Sequence, residues 1–112
     1  MHELSITQSI LSIALEQAKT VEASKITRIN LTIGELLGVA DECVQFYFGL
    51  LSKDTIAAEA ILRFDRPATS LRCRNCATVF SPNDSWACPN CGDMKAEIVS
   101  GQECFVNSIE VD

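Results

Sequence analysis

Between residues 5 and 20 the polar side chains Ser5, Ser9, Ser12, Glu16 and Lys19 recur at steps of four and three. That spacing predicts an α-helix with one polar stripe toward water. Leu4, Ile6, Ile10, Leu11, Ile13, Ala14, Leu15 and Ala18 fill an apolar arc wider than a single packing contact needs, so the helix is expected to pack on a sheet and also to touch a second helix or a partner. Ser5 and Gln8 have the capping-box spacing, which sets the helix start at Ser5 and leaves Met1, His2 and Glu3 as a short arm. Residues 27–33 alternate, with Ile29, Leu31 and Ile33 inward and Arg28, Asn30 and Thr32 outward, and Gly34 ends the strand. A second helix is predicted over 41–52, with Val44, Tyr47, Phe48 and Leu51 on its buried face and Asp41 and Glu42 at its positive end. A second strand is predicted over 58–65, with Ala60, Leu62 and Phe64 in phase, and Pro67 then breaks the pattern. After Gly101, Phe105, Ile109 and Val111 alternate with Ser108 and Glu110 as a last strand.

Residues 70–96 carry four cysteines, two prolines and few large aliphatics, too little apolar volume for a core of their own. The last strand most simply returns to the first sheet. The expected fold is therefore α+β: two helices on a small three-stranded sheet, with a zinc-ribbon-like four-cysteine lobe inserted between two strands. The body comprises residues 1–68 plus 98–112, and the lobe residues 69–97. No internal repeat or low-complexity stretch is visible.

A chain of 112 residues is too short for a TIM barrel, a full dinucleotide-binding fold or a multidomain enzyme. Its 47% hydrophobic and 21% charged residues argue against disorder. A net charge of −6 gives nucleic-acid binding no electrostatic help from the chain as a whole. Ser5, Ser9, Ser12 and Glu16 interrupt every early apolar run well short of the ~18 residues a membrane span needs. With no basic leader region visible, the expected location is cytoplasmic, where thiols stay reduced and clustered cysteines read as metal ligands before disulfides.

Cys73-Arg-Asn-Cys76 and Cys88-Pro-Asn-Cys91-Gly92 are two CxxC pairs. Two such knuckles facing each other supply four thiolates in a tetrahedron, which closes the coordination sphere of Zn(II). Such a site is structural by default, and its binding free energy of roughly 10–16 kcal/mol replaces the missing core. Two local disulfides, a redox dithiol or iron in the same tetrahedron are the alternatives. Gly92 follows the second knuckle where Ala77 follows the first, a modest departure in turn geometry. Cys43 and Cys104, each isolated, read as small buried residues.

His2 is the sole histidine, which leaves little room for a hydrolytic triad or a His-rich cage. Met1 is expected to persist before a residue as large as His, so that a free α-amine, the His2 amide nitrogen and the His2 imidazole close adjacent chelate rings around one metal. The Glu3 amide nitrogen adds a fourth ligand, with its carboxylate nearby. Four nitrogens in a plane suit Ni(II) or Cu(II), and acid should release the metal.

Met1-His2-Glu3-Leu4-Ser5, Ile33-Gly34-Glu35-Leu36, the two CxxC knuckles and Ser108-Ile109-Glu110-Val111 together resemble the HypA/HybF hydrogenase maturation proteins across essentially the whole chain. The resemblance implies a nickel metallochaperone for [NiFe]-hydrogenase maturation, with no catalytic residues of its own. It implies nickel cargo at His2, flanked by Met1 and Glu3, and structural Zn(II) at Cys73, Cys76, Cys88 and Cys91. It also implies work with the HypB GTPase to insert nickel into the hydrogenase large-subunit precursor, and in some bacteria service to urease. Neither a membrane nor a nucleic acid is an expected partner. Glu35 and Asp41 are candidate carboxylates near the nickel ligands, the alternative being a solvated loop residue and a helix-start residue. An alternative reading is a zinc-ribbon adaptor binding nucleic acid or transcription machinery, for which Trp86 and Phe80 could stack on bases. The single surplus positive charge of residues 70–96 is a weak footprint for it.

Overall fold

The computed structural model describes residues 3–82 and 85–112. Helix α1 (Glu3–Thr20) is followed by β1 (Ile26–Ile33), α2 (Asp41–Leu51) and β2 (Ile61–Asp65). The chain continues through β3 (Ser70–Cys73), β4 (Val79–Phe80), β5 (Ala96–Ser100) and β6 (Cys104–Val111). Two separate sheets form, ordered β2-β1-β6 and β4-β3-β5. In the first, β1 runs parallel to β2 and antiparallel to β6, so the final strand does return to the sheet of the first. The second sheet, which the sparse apolar residues of the cysteine segment did not predict, is antiparallel throughout.

The helix begins at Glu3 rather than at Ser5. Ser5 lies exposed within it, and the Thr7 hydroxyl donates to the Glu3 carbonyl at 2.6 Å. Glu3 thus sits in the positively polarised first turn, a favourable place for a carboxylate. Ile6, Ile10, Leu11, Ala14 and Ala18 are buried against β1, β6 and α2, while Leu4 and Ile13 of the same arc stay exposed. Helix α2 buries Val44 and Phe48. Ile26, Ile29, Leu31 and Ile33 of the central strand are almost fully covered, worth roughly 1.5–3 kcal/mol each against exposure. Thr32, expected outward, is also buried. Asn30 does face outward and bonds Ser108 at 2.9 Å.

Three expectations about phase are corrected. The segment before β2 is a run of turns, with Asp54 at φ 64° and an Ala60 N–H to Ala57 carbonyl bond of 3.0 Å, so the strand starts only at Ile61. In β6, Asn30 pairs with Ser108 but Leu31 with Val106. Asn107 is the extra residue of a bulge, which reverses the alternation. Val106 and Ile109 therefore pack on the core while Phe105 remains exposed. Cys43 and Cys104, expected buried, are exposed: Cys43 precedes the buried Val44 on the outer side of α2, and Cys104 opens an edge strand.

The molecule measures 55 × 25 × 16 Å with a radius of gyration of 17.7 Å, against about 13 Å for a compact chain of this length. The elongation comes from two sheets joined by two crossing segments, residues 66–69 and 101–103. The turn after β1 grips both: Glu35 N–H donates to the Pro67 carbonyl at 2.9 Å, Leu36 N–H to Gly101 at 2.9 Å, and Gly34 N–H to Glu103 at 2.6 Å. Arg66 closes the junction by donating to the carbonyls of Ile33 (2.6 Å) and Val39 (2.9 Å) and to Asp41 (2.5 Å). Among the described residues no helix is long and apolar enough to cross a membrane.

Candidate metal centre

Each CxxC pair folds by the same local rules. In the first knuckle Cys73 N–H donates to the Thr78 carbonyl and Ala77 N–H to the Cys73 carbonyl, both at 2.9 Å. In the second, Cys88 N–H donates to Asp93 at 2.9 Å and Gly92 N–H to Cys88 at 2.8 Å. The residue closing each turn is left-handed, Ala77 at φ 64° and Gly92 at φ 75°. Ala77 therefore adopts, at a steric cost, the conformation that glycine adopts freely.

The knuckles face each other and bring Cys73, Cys76, Cys88 and Cys91 together, with all four sulfurs within 4.8 Å of one another. Cys73 Sγ lies 3.5 Å from Cys91 Sγ, and Cys76 Sγ lies 3.6 Å from Cys88 Sγ. These are too far for disulfides and close to the about 3.8 Å edge of a tetrahedron with zinc–sulfur bonds of about 2.3 Å. All six cysteines are free thiols. Four sulfurs in a tetrahedron, with no fifth donor among the described residues, fit Zn(II) in a structural role. Cys73 and Cys88 are buried, Cys76 is half-buried and Cys91 is exposed.

The sulfurs sit in a field of N–H and O–H donors. The backbone N–H of Asn75 points at Cys73 Sγ and that of Asn90 at Cys88 Sγ, each at 3.4 Å. The side-chain amides cross over, Asn75 Nδ2 to Cys91 Sγ at 3.5 Å and Asn90 Nδ2 to Cys76 Sγ at 3.6 Å. Thr78, 3.1 Å from Cys76, and then Asn90 pull the Cys76 thiol down to about 6. Asn75 and then the Asp93 backbone lower Cys91. Cys73 receives a backbone N–H from Cys76 that lowers it, but desolvation and the neighbouring sulfurs push it up to about 11. Donors thus favour thiolate at Cys76 and Cys91, while desolvation works against it at Cys73. The asparagines and Thr78 were not singled out by the sequence reading, although an Asn before the second cysteine of both knuckles was a visible signal.

Of the residues expected to hold nickel, Met1 and His2 lie outside the described residues. Glu3 opens α1, half-buried, and its Oε2 accepts from the Ala40 N–H at 3.4 Å, tying the start of α1 to the start of α2. Asp41 is engaged by Arg66, and Glu35 is exposed. A groove of about 390 Å³ runs beside the first turns of α1, lined by residues including Ile6, Ile10, Ile13, Phe105 and Val106.

The chain is similar over its whole length to proteins of known kind. A family model described as "Hydrogenase/urease nickel incorporation, metallochaperone, hypA" matches residues 1–111. A hydrogenase maturation factor HypA of Dehalococcoides mccartyi is 45% identical over 100% of this chain and 95% of its own. That of Geobacter sulfurreducens is 40% identical over 100% of both chains. The solution structure of the Ni metallochaperone HypA from Helicobacter pylori superposes with a TM-score of 0.72 at 30% identity, covering 99% of this chain and 97% of that one. With the four-thiolate lobe and the helix–sheet body in place, the chain belongs to the HypA family of nickel-incorporation metallochaperones, which act in hydrogenase maturation.

Proposed function

We propose that this protein carries Ni(II) at its amino terminus, through the α-amine of Met1, the amide and imidazole of His2 and the amide of Glu3, and helps insert it into the [NiFe]-hydrogenase large-subunit precursor. The observation that carries the reading is the family match from residue 1 to residue 111, which includes Met1-His2-Glu3. Zinc at Cys73, Cys76, Cys88 and Cys91 is the structural partner of that cargo site, and the unit it organises is the lobe, expected over residues 69–97, together with the rest of β5 to Ser100. Glu3 lies on the first turn of α1, beside the start of α2. A partner that displaces the Met1, His2 and Glu3 ligands releases the nickel.

The HypB GTPase or the hydrogenase precursor docks, in this reading, on the groove beside the first turns of α1, where Ile13 and Phe105 are 45% and 50% exposed. Replacing Ile13 or Phe105 with Ser should weaken that binding and leave folding intact. The decisive experiment is a nickel titration of zinc-loaded protein with its native amino terminus, beside His2→Ala and an amino-terminally blocked form. One nickel per chain, lost in both variants while zinc stays bound, is the expected result. Nickel binding that survives both changes would overturn the assignment and move the site to the thiolates.

A further inference from the structure

The two knuckles superimpose by a shift of fifteen residues, Cys73 onto Cys88, Asn75 onto Asn90 and Cys76 onto Cys91. Within a knuckle each Asn gives its backbone N–H to the first cysteine, and between knuckles it gives its side-chain amide to the second cysteine of the other. The backbone donors serve the buried sulfurs Cys73 and Cys88. The crossing amides serve Cys76 and Cys91, the half-buried and the exposed cysteine of the four.

We propose that Asn75 and Asn90 are positioning residues that brace the two knuckles against each other and set how slowly the four-thiolate centre exchanges its metal. Metal leaves such a site when one knuckle swings off and a thiolate detaches. That movement must break an amide–sulfur bond in each direction and strand a thiolate without its donor, which raises the barrier to the first detachment. The crossing amides also withdraw charge from the exposed sulfurs, making them poorer nucleophiles toward a second metal. In a nickel-handling protein this keeps a thiolate cluster from taking the cargo. The inference rests on the zinc lobe and stands whether or not the amino terminus holds nickel.

The test uses the full zinc-loaded chain. Asn75→Ser and Asn90→Ser keep a neutral turn-forming residue and the backbone N–H but cannot reach across. Zinc release to an excess of chromophoric chelator should speed up about 10- to 100-fold in each. In the cobalt-substituted protein the thiolate-to-metal charge-transfer band should move to lower energy. Excess Ni(II) should produce thiolate-to-nickel absorption in the variants and none in the parent. Unchanged release with an unmoved cobalt band in either single variant would overturn the proposal. The amide spectrum of the helix–sheet body reports folding independently, and a Ser variant that keeps that spectrum but forms no cobalt site at all would support the brace.

Discussion

Gly34 and Gly101 cross at the junction of the two sheets with no room for a side chain between them. A Cβ on Gly34 would lie 2.1 Å from both the carbonyl carbon and the carbonyl oxygen of Gly101. The obstacle is backbone, held by the Leu36 N–H at 2.9 Å, so it cannot rotate away as a side chain would. Gly34→Ala should therefore destabilise the protein by on the order of 3 kcal/mol or more, read as a lowered urea midpoint. Gly38→Ala is the comparison: its φ is 65° but its Cβ would meet open space, so only about 1 kcal/mol is at stake.

Much of this was legible in the sequence, and what was not has physical causes. Alternation at Ile29, Leu31 and Ile33 and the 44/48 spacing of α2 report periodic burial, which a sequence displays directly. The bulge at Asn107 inverts β6 through a pairing register, which no local pattern displays. The capping-box spacing at Ser5 was defeated because an exposed Ser is tolerated inside a helix whose apolar face is well packed. The cysteine cluster was legible because metal geometry fixes ligand spacing. The Ile33-Gly34-Glu35-Leu36 motif was visible as a family feature, yet its work as a clamp on residues 67, 101 and 103 depends on contacts distant in sequence.

Ala77 occupies the left-handed conformation that Gly92 occupies in the matching knuckle, and it is exposed, so its methyl contributes little packing. Ala77→Gly should stabilise the zinc-loaded lobe by about 1 kcal/mol, the relief of a left-handed non-glycine residue net of the entropy glycine loses. Gly92→Ala should cost a similar amount, since its Cβ would meet no atom within 4 Å. Thermal unfolding of the zinc-loaded proteins, with opposite shifts in the two variants, checks the pair. Shifts of the same sign in both variants would mean that the knuckles differ in strain.

Arg66 joins the end of β1, the approach to α2 and Asp41 through one guanidinium. The Asp41 carboxylate is 41% exposed, so the ion pair itself is screened, and the bonds to two backbone carbonyls carry most of the effect. Arg66→Ala should cost about 2 kcal/mol. Arg66→Lys should recover little, because one ammonium cannot reproduce the fork. Urea unfolding of both variants distinguishes this from a simple charge effect, which Lys would restore.

Ser52 caps the end of α2 and is fully buried, yet its Oγ has no hydrogen-bond partner among the described residues. An unpartnered buried hydroxyl loses its hydration without compensation. Ser52→Ala removes it at almost constant volume and keeps the backbone N–H to the Phe48 carbonyl, 2.9 Å. The variant should be more stable by about 1 kcal/mol, seen as a raised urea midpoint with unchanged slope. A loss of stability would show that the hydroxyl is satisfied in solution.

Zinc removal should separate the two sheets energetically. Among the described residues of the lobe, Leu71, Cys73, Cys88 and, next to the junction, Thr69 are buried, whereas fourteen buried apolar residues form the core of the helix–sheet body. Without metal the lobe has nothing to offset the ordering of its backbone, so a strong chelator should unfold β3, β4 and β5. Amide protection at Leu71–Cys73 and Ala96–Ser100 should then collapse while Ile29–Ile33 stay protected. Acid should act alike, because protons compete with zinc for the thiolates. The clamp at Gly34, Glu35 and Leu36 is made to the linker segments and not to the lobe's strands, so the body can keep it. Loss of protection in β1 at the same chelator concentration would show instead that the junction transmits lobe unfolding into the body.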